Sequence, residues 1–148
     1  MQSSLASADA RIERPAYVWL AIALELFTVL GAIPVGIMFI TDTSGATVGL
    51  PAGWIEGTLF GSYLVPGLYL LLVNGFGMLA AAGLSVMRHR VAPWLTGVLG
   101  AGLVVWILVE IVLLPETMVL TWIFLAIGLV LGVIALLWLR RTGQLRVG

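Results

Sequence analysis

Polar positions are scarce along this chain, and their spacing divides it. Four apolar runs, at 17–40, 63–87, 94–114 and 118–139, are separated by one long polar break and two short ones. The first run is about 24 residues, and at about 1.5 Å of helical rise per residue a run of this length crosses a hydrocarbon core of roughly 30 Å. The pattern predicts an all-α integral membrane four-helix bundle. A tail at 1–16 precedes it, a long outer loop at 41–62 follows the first span, and a basic tail at 140–148 closes the chain.

The long break carries most of the turn chemistry. Asp42-Thr43-Ser44-Gly45 has the composition of a turn. Pro51 is expected to open a short interfacial helix, with Trp54, Ile55, Leu59 and Phe60 on one side and Glu56 on the other. Such a segment caps the outer end of the bundle, gates a cavity beneath it or offers a docking surface for a partner. Pro66-Gly67 falls in the first turn of the second span, where proline is tolerated.

Composition strengthens the membrane reading. The chain has 148 residues, 61% of them hydrophobic and 9% charged, against roughly 25% charged in soluble domains. It has no cysteine, which removes disulfides, thiolate metal sites and a thiol nucleophile. The charges then set the threading. Four crossings gather Arg11, Arg14, Arg88, Arg90, Arg140, Arg141 and Arg146, all the basic residues, on one side. Asp42, Glu56 and Glu116 lie on the other. Positive residues stay cytoplasmic, so both termini are expected inside and the long loop outside. Tyr17, Trp19, Trp94 and Trp138 mark the inner interface, and Trp54, Tyr63 and Trp122 the outer one.

The candidate chemistry is a short set of intramembrane polar groups. Glu25 lies roughly 12 Å into the first span by helical rise, on a stripe with Ala21, Thr28, Ala32 and Gly36. Small and polar residues of this kind are expected to face a neighbouring helix. Asn74, in the second span, comes to a similar depth, so Glu25 and Asn74 are expected to approach each other. They either satisfy one another as helix glue or form a proton- or ligand-binding site. Glu110 lies near the outer end of the third span with Trp106 one turn before it, too far from Glu25 for one paired acid–base site. Gly128-x-x-x-Gly132 in the fourth span and Gly97-x-x-x-Ala101 in the third offer close-packing surfaces, for each other or for a homodimer.

No phosphate loop, zinc motif or nucleophile elbow is present. The sole histidine, His89, sits between two arginines and makes a poor metal ligand. No catalytic residue, metal or cofactor is therefore assigned, and the few basic residues at membrane edges argue against nucleic acid. The expected partners are the bilayer and a membrane-protein partner or second copy. The function read from these features is that of a non-enzymatic accessory or interaction subunit. The alternative is a small proton-coupled transporter or a binder of a lipophilic ligand, using Glu25 with Asn74 and Glu110 with Trp106.

One pattern carries a resemblance. Gly49-Leu50-Pro51, Trp54, Gly57-Thr58, Phe60, Tyr63, Pro66-Gly67-Leu68, then Trp106 and Glu110, resembles a broad set of uncharacterised small bacterial four-span membrane proteins over about residues 20–139. The resemblance implies a bacterial inner-membrane location and a compact four-helix unit. It carries no activity, cofactor or site residue.

Overall fold

A computed structural model describes residues 15–144. The expectations for the N-terminal tail, including Arg11 and Arg14, and for Arg146 lie outside the described residues. The described chain is all-helical. Four helices are long and apolar enough to cross a membrane: α1 (Ala16–Thr41), α3 (Leu64–Val86), α4 (Ala92–Leu113) and α5 (Val119–Arg141). The short helix α2 (Gly53–Glu56) stands in the outer loop after a single 3₁₀ turn at Ala46–Val48.

The helices are apolar on every side, so amphipathicity does not choose the buried face. Small size and polarity choose it. Ala21, Glu25, Thr28, Ala32 and Gly36 are all buried along α1. Large aliphatic side chains point outward instead, Val112 at 81% exposure and Leu30 at 75% among them. A water-soluble fold would bury such residues; here lipid covers them at no cost.

Two helix pairs make the bundle. In the first, α1 lies along α3. A Cβ added to Gly36 would stand 2.9 Å from the Leu71 nitrogen and 3.0 Å from the Gly67 carbonyl oxygen. Backbones approach this closely only where a side chain is missing. In the second pair, α4 lies along α5 through a glycine-lined seam. A Cβ on Gly128 would meet the Gly100 carbonyl oxygen at 3.0 Å and Val104 at 2.8 Å. This seam corrects the expected α4 surface. Gly97 faces Ala135, but Ala101 is exposed and Gly100 takes its place. At 3.6 residues per turn the third residue after Gly97 lies about 60° to one side of it and the fourth about 40° to the other, and α5 packs on the Gly100 side. Gly132 is half-buried, and open space surrounds the position its Cβ would occupy.

The pairs join through α3 with α4 and, more sparsely, α1 with α5. That order puts α1 and α4 on a diagonal. The second span is not uniformly α-helical: Leu70–Gly77 is a π-helical segment, where the sequence predicts an unbroken helix. Segments of this kind gather at functional sites, and Asn74 lies within this one.

The outer loop also differs from its expected form. Its helix has four residues, Gly53–Glu56, and Leu59 falls beyond it at 91% exposure. Gly57 ends the helix too early for Leu59 to share its buried side. Ile55 and Tyr63 are the loop's buried anchors, packed with Phe39 over the outer end of α1.

Candidate functional site

Two separate polar clusters lie within the bundle. The inner one centres on Glu25. The Thr96 hydroxyl, on α4, donates to Glu25 Oε1 at 2.6 Å, and both residues are fully buried. This bond replaces the expected pairing of Glu25 with Asn74, since no hydrogen bond joins those two residues. Depth counted from the span ends misplaced Asn74: a Cβ on the adjacent Gly75 would meet Ile33 at 2.8 Å, which puts Asn74 about two turns along α1 from Glu25, and Thr96 is the polar neighbour at the level of Glu25. Other buried hydroxyls turn to their own helices: Thr28 donates to the Leu24 carbonyl and Ser85 to that of Ala81. Glu25 Oε2 and both amide atoms of Asn74 are buried without a hydrogen-bond partner.

The outer cluster centres on Glu110 and Trp106. The Thr121 hydroxyl, on α5, donates to Glu110 Oε1 at 3.0 Å. The Trp106 ring stacks on Tyr69, centroids 4.5 Å apart and planes 18° from parallel. Tyr69 is fixed in turn by donating its hydroxyl to the Gly102 carbonyl at 3.0 Å. Phe60, from the loop, tilts toward Trp106 at 6.1 Å. One aromatic wall therefore draws on α3, α4 and the outer loop.

Phe60, Trp106, Glu110 and Thr121 border a cavity of about 490 Å³ in the half of the bundle beneath the 42–63 loop. Its size falls in the range of small-molecule sites. The walls are largely apolar, with Trp106, Glu110, Asn74, Tyr63, Thr121 and Glu116 as principal polar or aromatic members. Glu25 does not line it. Leu30, Gly31 and Phe124 do, which extends the cavity to the sparse seam between α1 and α5. Phe27 and Phe124 stand at that seam with centroids 5.9 Å apart.

The loop above is held by a carboxylate clasp. Asp42 Oδ1 accepts from the Ser44 hydroxyl at 2.6 Å and the Ser44 amide at 3.2 Å. Oδ2 accepts from the Thr47 hydroxyl at 2.7 Å and the Thr47 amide at 2.9 Å. These bonds hold the Asp42 carboxyl well below the usual carboxylate range, the Ser44 hydroxyl contributing most. Gly45 follows in the left-handed region, φ +80°, where a Cβ would stand 2.6 Å from the Tyr63 ring. The Tyr63 amide donates to the Thr43 carbonyl at 2.9 Å, and its ring stacks on Phe39 at 4.8 Å. Tyr63 stands just outside α3, and its phenol is pushed above its ordinary range, first by burial and then by the negative charge of Glu110. Its hydroxyl is buried without a hydrogen-bond partner.

Of the residues singled out in the sequence, the structure thus gathers Asn74, Trp106 and Glu110 on one cavity. It leaves Glu25 in a separate buried pair and assigns Gly97, Gly128 and Gly132 to the α4–α5 side of the bundle. Sequence reasoning missed Thr96, Thr121 and Tyr69, whose types are common in apolar spans and gave no signal above their surroundings. The arrangement is suited to holding a small apolar molecule with a polar end. No family, curated protein or solved structure matches the chain.

Proposed function

We propose that this chain is a non-enzymatic multi-pass protein that binds a lipophilic small molecule in its outer-half cavity. The observation that carries this reading is the 490 Å³ apolar cavity with Glu110 and Trp106 on its wall. A bundle serving only as an interaction scaffold needs no such space between its helices. The seam between α1 and α5 offers entry from the surrounding lipid, as an apolar ligand requires.

The location proposed is a bacterial cytoplasmic membrane with both termini inside. The gathering of Arg88, Arg90, Arg140 and Arg141 at one end supports that orientation, and the loop resemblance supports the bacterial membrane. In this orientation the cavity lies in the outer leaflet and the Asp42–Tyr63 loop covers it.

The test is extraction from native membranes at low detergent, followed by mass spectrometry of what co-purifies with the wild type and with Val109→Trp, which fills the cavity from one wall. A compound carried by the wild type and lost from Val109→Trp, while bulk phospholipid stays the same, is expected. Identical inventories would remove the reading.

A further inference from the structure

The cavity's charges are one-sided. Two carboxylates, Glu110 and Glu116, are on its lining, and no Arg or His is. Among the described residues, the arginines lie at or beyond the other ends of the spans. A negative group entering here would meet the Glu110 carboxyl in a medium that screens poorly, whereas Glu116, exposed at the rim, is screened by water. A positive group would meet Glu110, whose Oε1 is already oriented by the Thr121 hydroxyl.

The aromatic wall points the same way. Trp106 has one ring face covered by Tyr69 and has Phe60 beside it. Both Trp106 and Glu110 are half-buried on the cavity wall, so they are reachable without rearrangement. Indole is the ring that attracts cations most strongly, and a carboxylate four residues along the same helix reinforces the attraction. The remaining walls are aliphatic and suit an alkyl or aryl body.

We infer that the cavity takes a lipophilic cation, an amine or quaternary ammonium with an apolar body, whose charged head lies between Glu110 and Trp106. This inference rests on the ligand-binding reading above and adds the class of ligand. Glu110 is the group that sets the preference for positive charge, and Glu116, exposed in the turn beyond α4, is not.

The experiment uses the full chain in a nonionic detergent and three twelve-carbon probes: dodecyltrimethylammonium, dodecanol and dodecyl sulfate. Binding is read by tryptophan fluorescence, with Trp54 and Trp106 both lining the cavity, and referred to free probe concentration. The ammonium is expected to bind about tenfold tighter than the alcohol, the size of a cation–π contact assisted by a carboxylate, and the sulfate more weakly than either. In Glu110→Gln the ammonium-to-alcohol ratio is expected to fall to within about threefold, while Glu116→Gln leaves it unchanged. Equal binding of ammonium and alcohol by the wild type would overturn the inference and leave the ligand-binding reading intact. So would a loss of preference in Glu116→Gln alone. No saturable binding of any probe would count against both. The wild-type comparison stands by itself if Glu110→Gln fails to fold.

Discussion

Glu25 and Thr96 meet across the diagonal of the bundle, hydroxyl to carboxyl at 2.6 Å, although α1 and α4 make little other contact. Removing the donor leaves a buried carboxyl with neither oxygen bonded, because Oε2 already lacks a partner. Thr96→Val, which keeps the side-chain shape, is therefore expected to destabilise the bundle by about 2 kcal/mol, the cost of an orphaned buried polar group. Thr96→Ser is expected to lose much less. Reversible unfolding in mixed micelles would rank the two, and equal stabilities would show that the bond contributes nothing.

The α4–α5 seam gives a second contrast. A Cβ on Gly128 would enter the space of Gly100 and Val104 backbone atoms, the nearest at 3.0 and 3.2 Å, whereas a Cβ on Gly132 meets open space. Gly128→Ala is expected to cost roughly 1–3 kcal/mol through overpacking. Gly132→Ala is expected to stay within about 0.5 kcal/mol of the wild type, as a substitution with no clash. The same unfolding assay separates them.

The clasp at Asp42 makes the outer loop sensitive to acid. The carboxyl is held below the ordinary aspartate value in the folded chain, which is about 3.9 when unfolded. Its contribution is therefore fully present above about pH 4 and is lost as pH falls toward the lower folded value. Hydrogen exchange at the Ser44 and Thr47 amides, which the carboxylate holds, is expected to lose protection only in that acidic window once corrected for intrinsic rates. Asp42→Ala is expected to lose it already at neutral pH.

Gly45 is the loop's tightest point, combining φ +80° with the Tyr63 ring 2.6 Å from where a Cβ would lie. Gly45→Ala is expected to displace Tyr63 and loosen the cover over the cavity while leaving the four spans in place. Faster proteolysis within 43–63 with unchanged helical circular dichroism would be the sign.

Much of the fold was legible in the sequence, because lipid imposes a simple rule: long apolar runs become helices, and small or polar residues within them turn inward. Ala21, Glu25, Thr28, Ala32 and Gly36 followed it. Helix neighbours were less legible. Glu25 was matched to Asn74 by depth counted from the span ends, yet the register of α1 on α3 puts Asn74 near Ile33, about two turns from Glu25, and Thr96 stands opposite instead. The π-helical stretch around Asn74 was also invisible, since Leu70–Gly77 has an ordinary apolar composition. Trp106 and Glu110 stood out as a pair one turn apart, but the cavity they border depends on how sparsely α1 meets α5, which no single span records.

The placement of the cavity in the outer leaflet depends on the direction of threading, and the absence of cysteine makes that directly measurable. Single cysteines at Leu59→Cys, in the outer loop, and His89→Cys, between α3 and α4, would be probed with a membrane-impermeant maleimide. In intact spheroplasts the reagent is expected to label Leu59→Cys at once and His89→Cys only after permeabilisation. Labelling of His89→Cys from outside, or of both sites before permeabilisation, would contradict the four-crossing arrangement with its basic end in the cytoplasm.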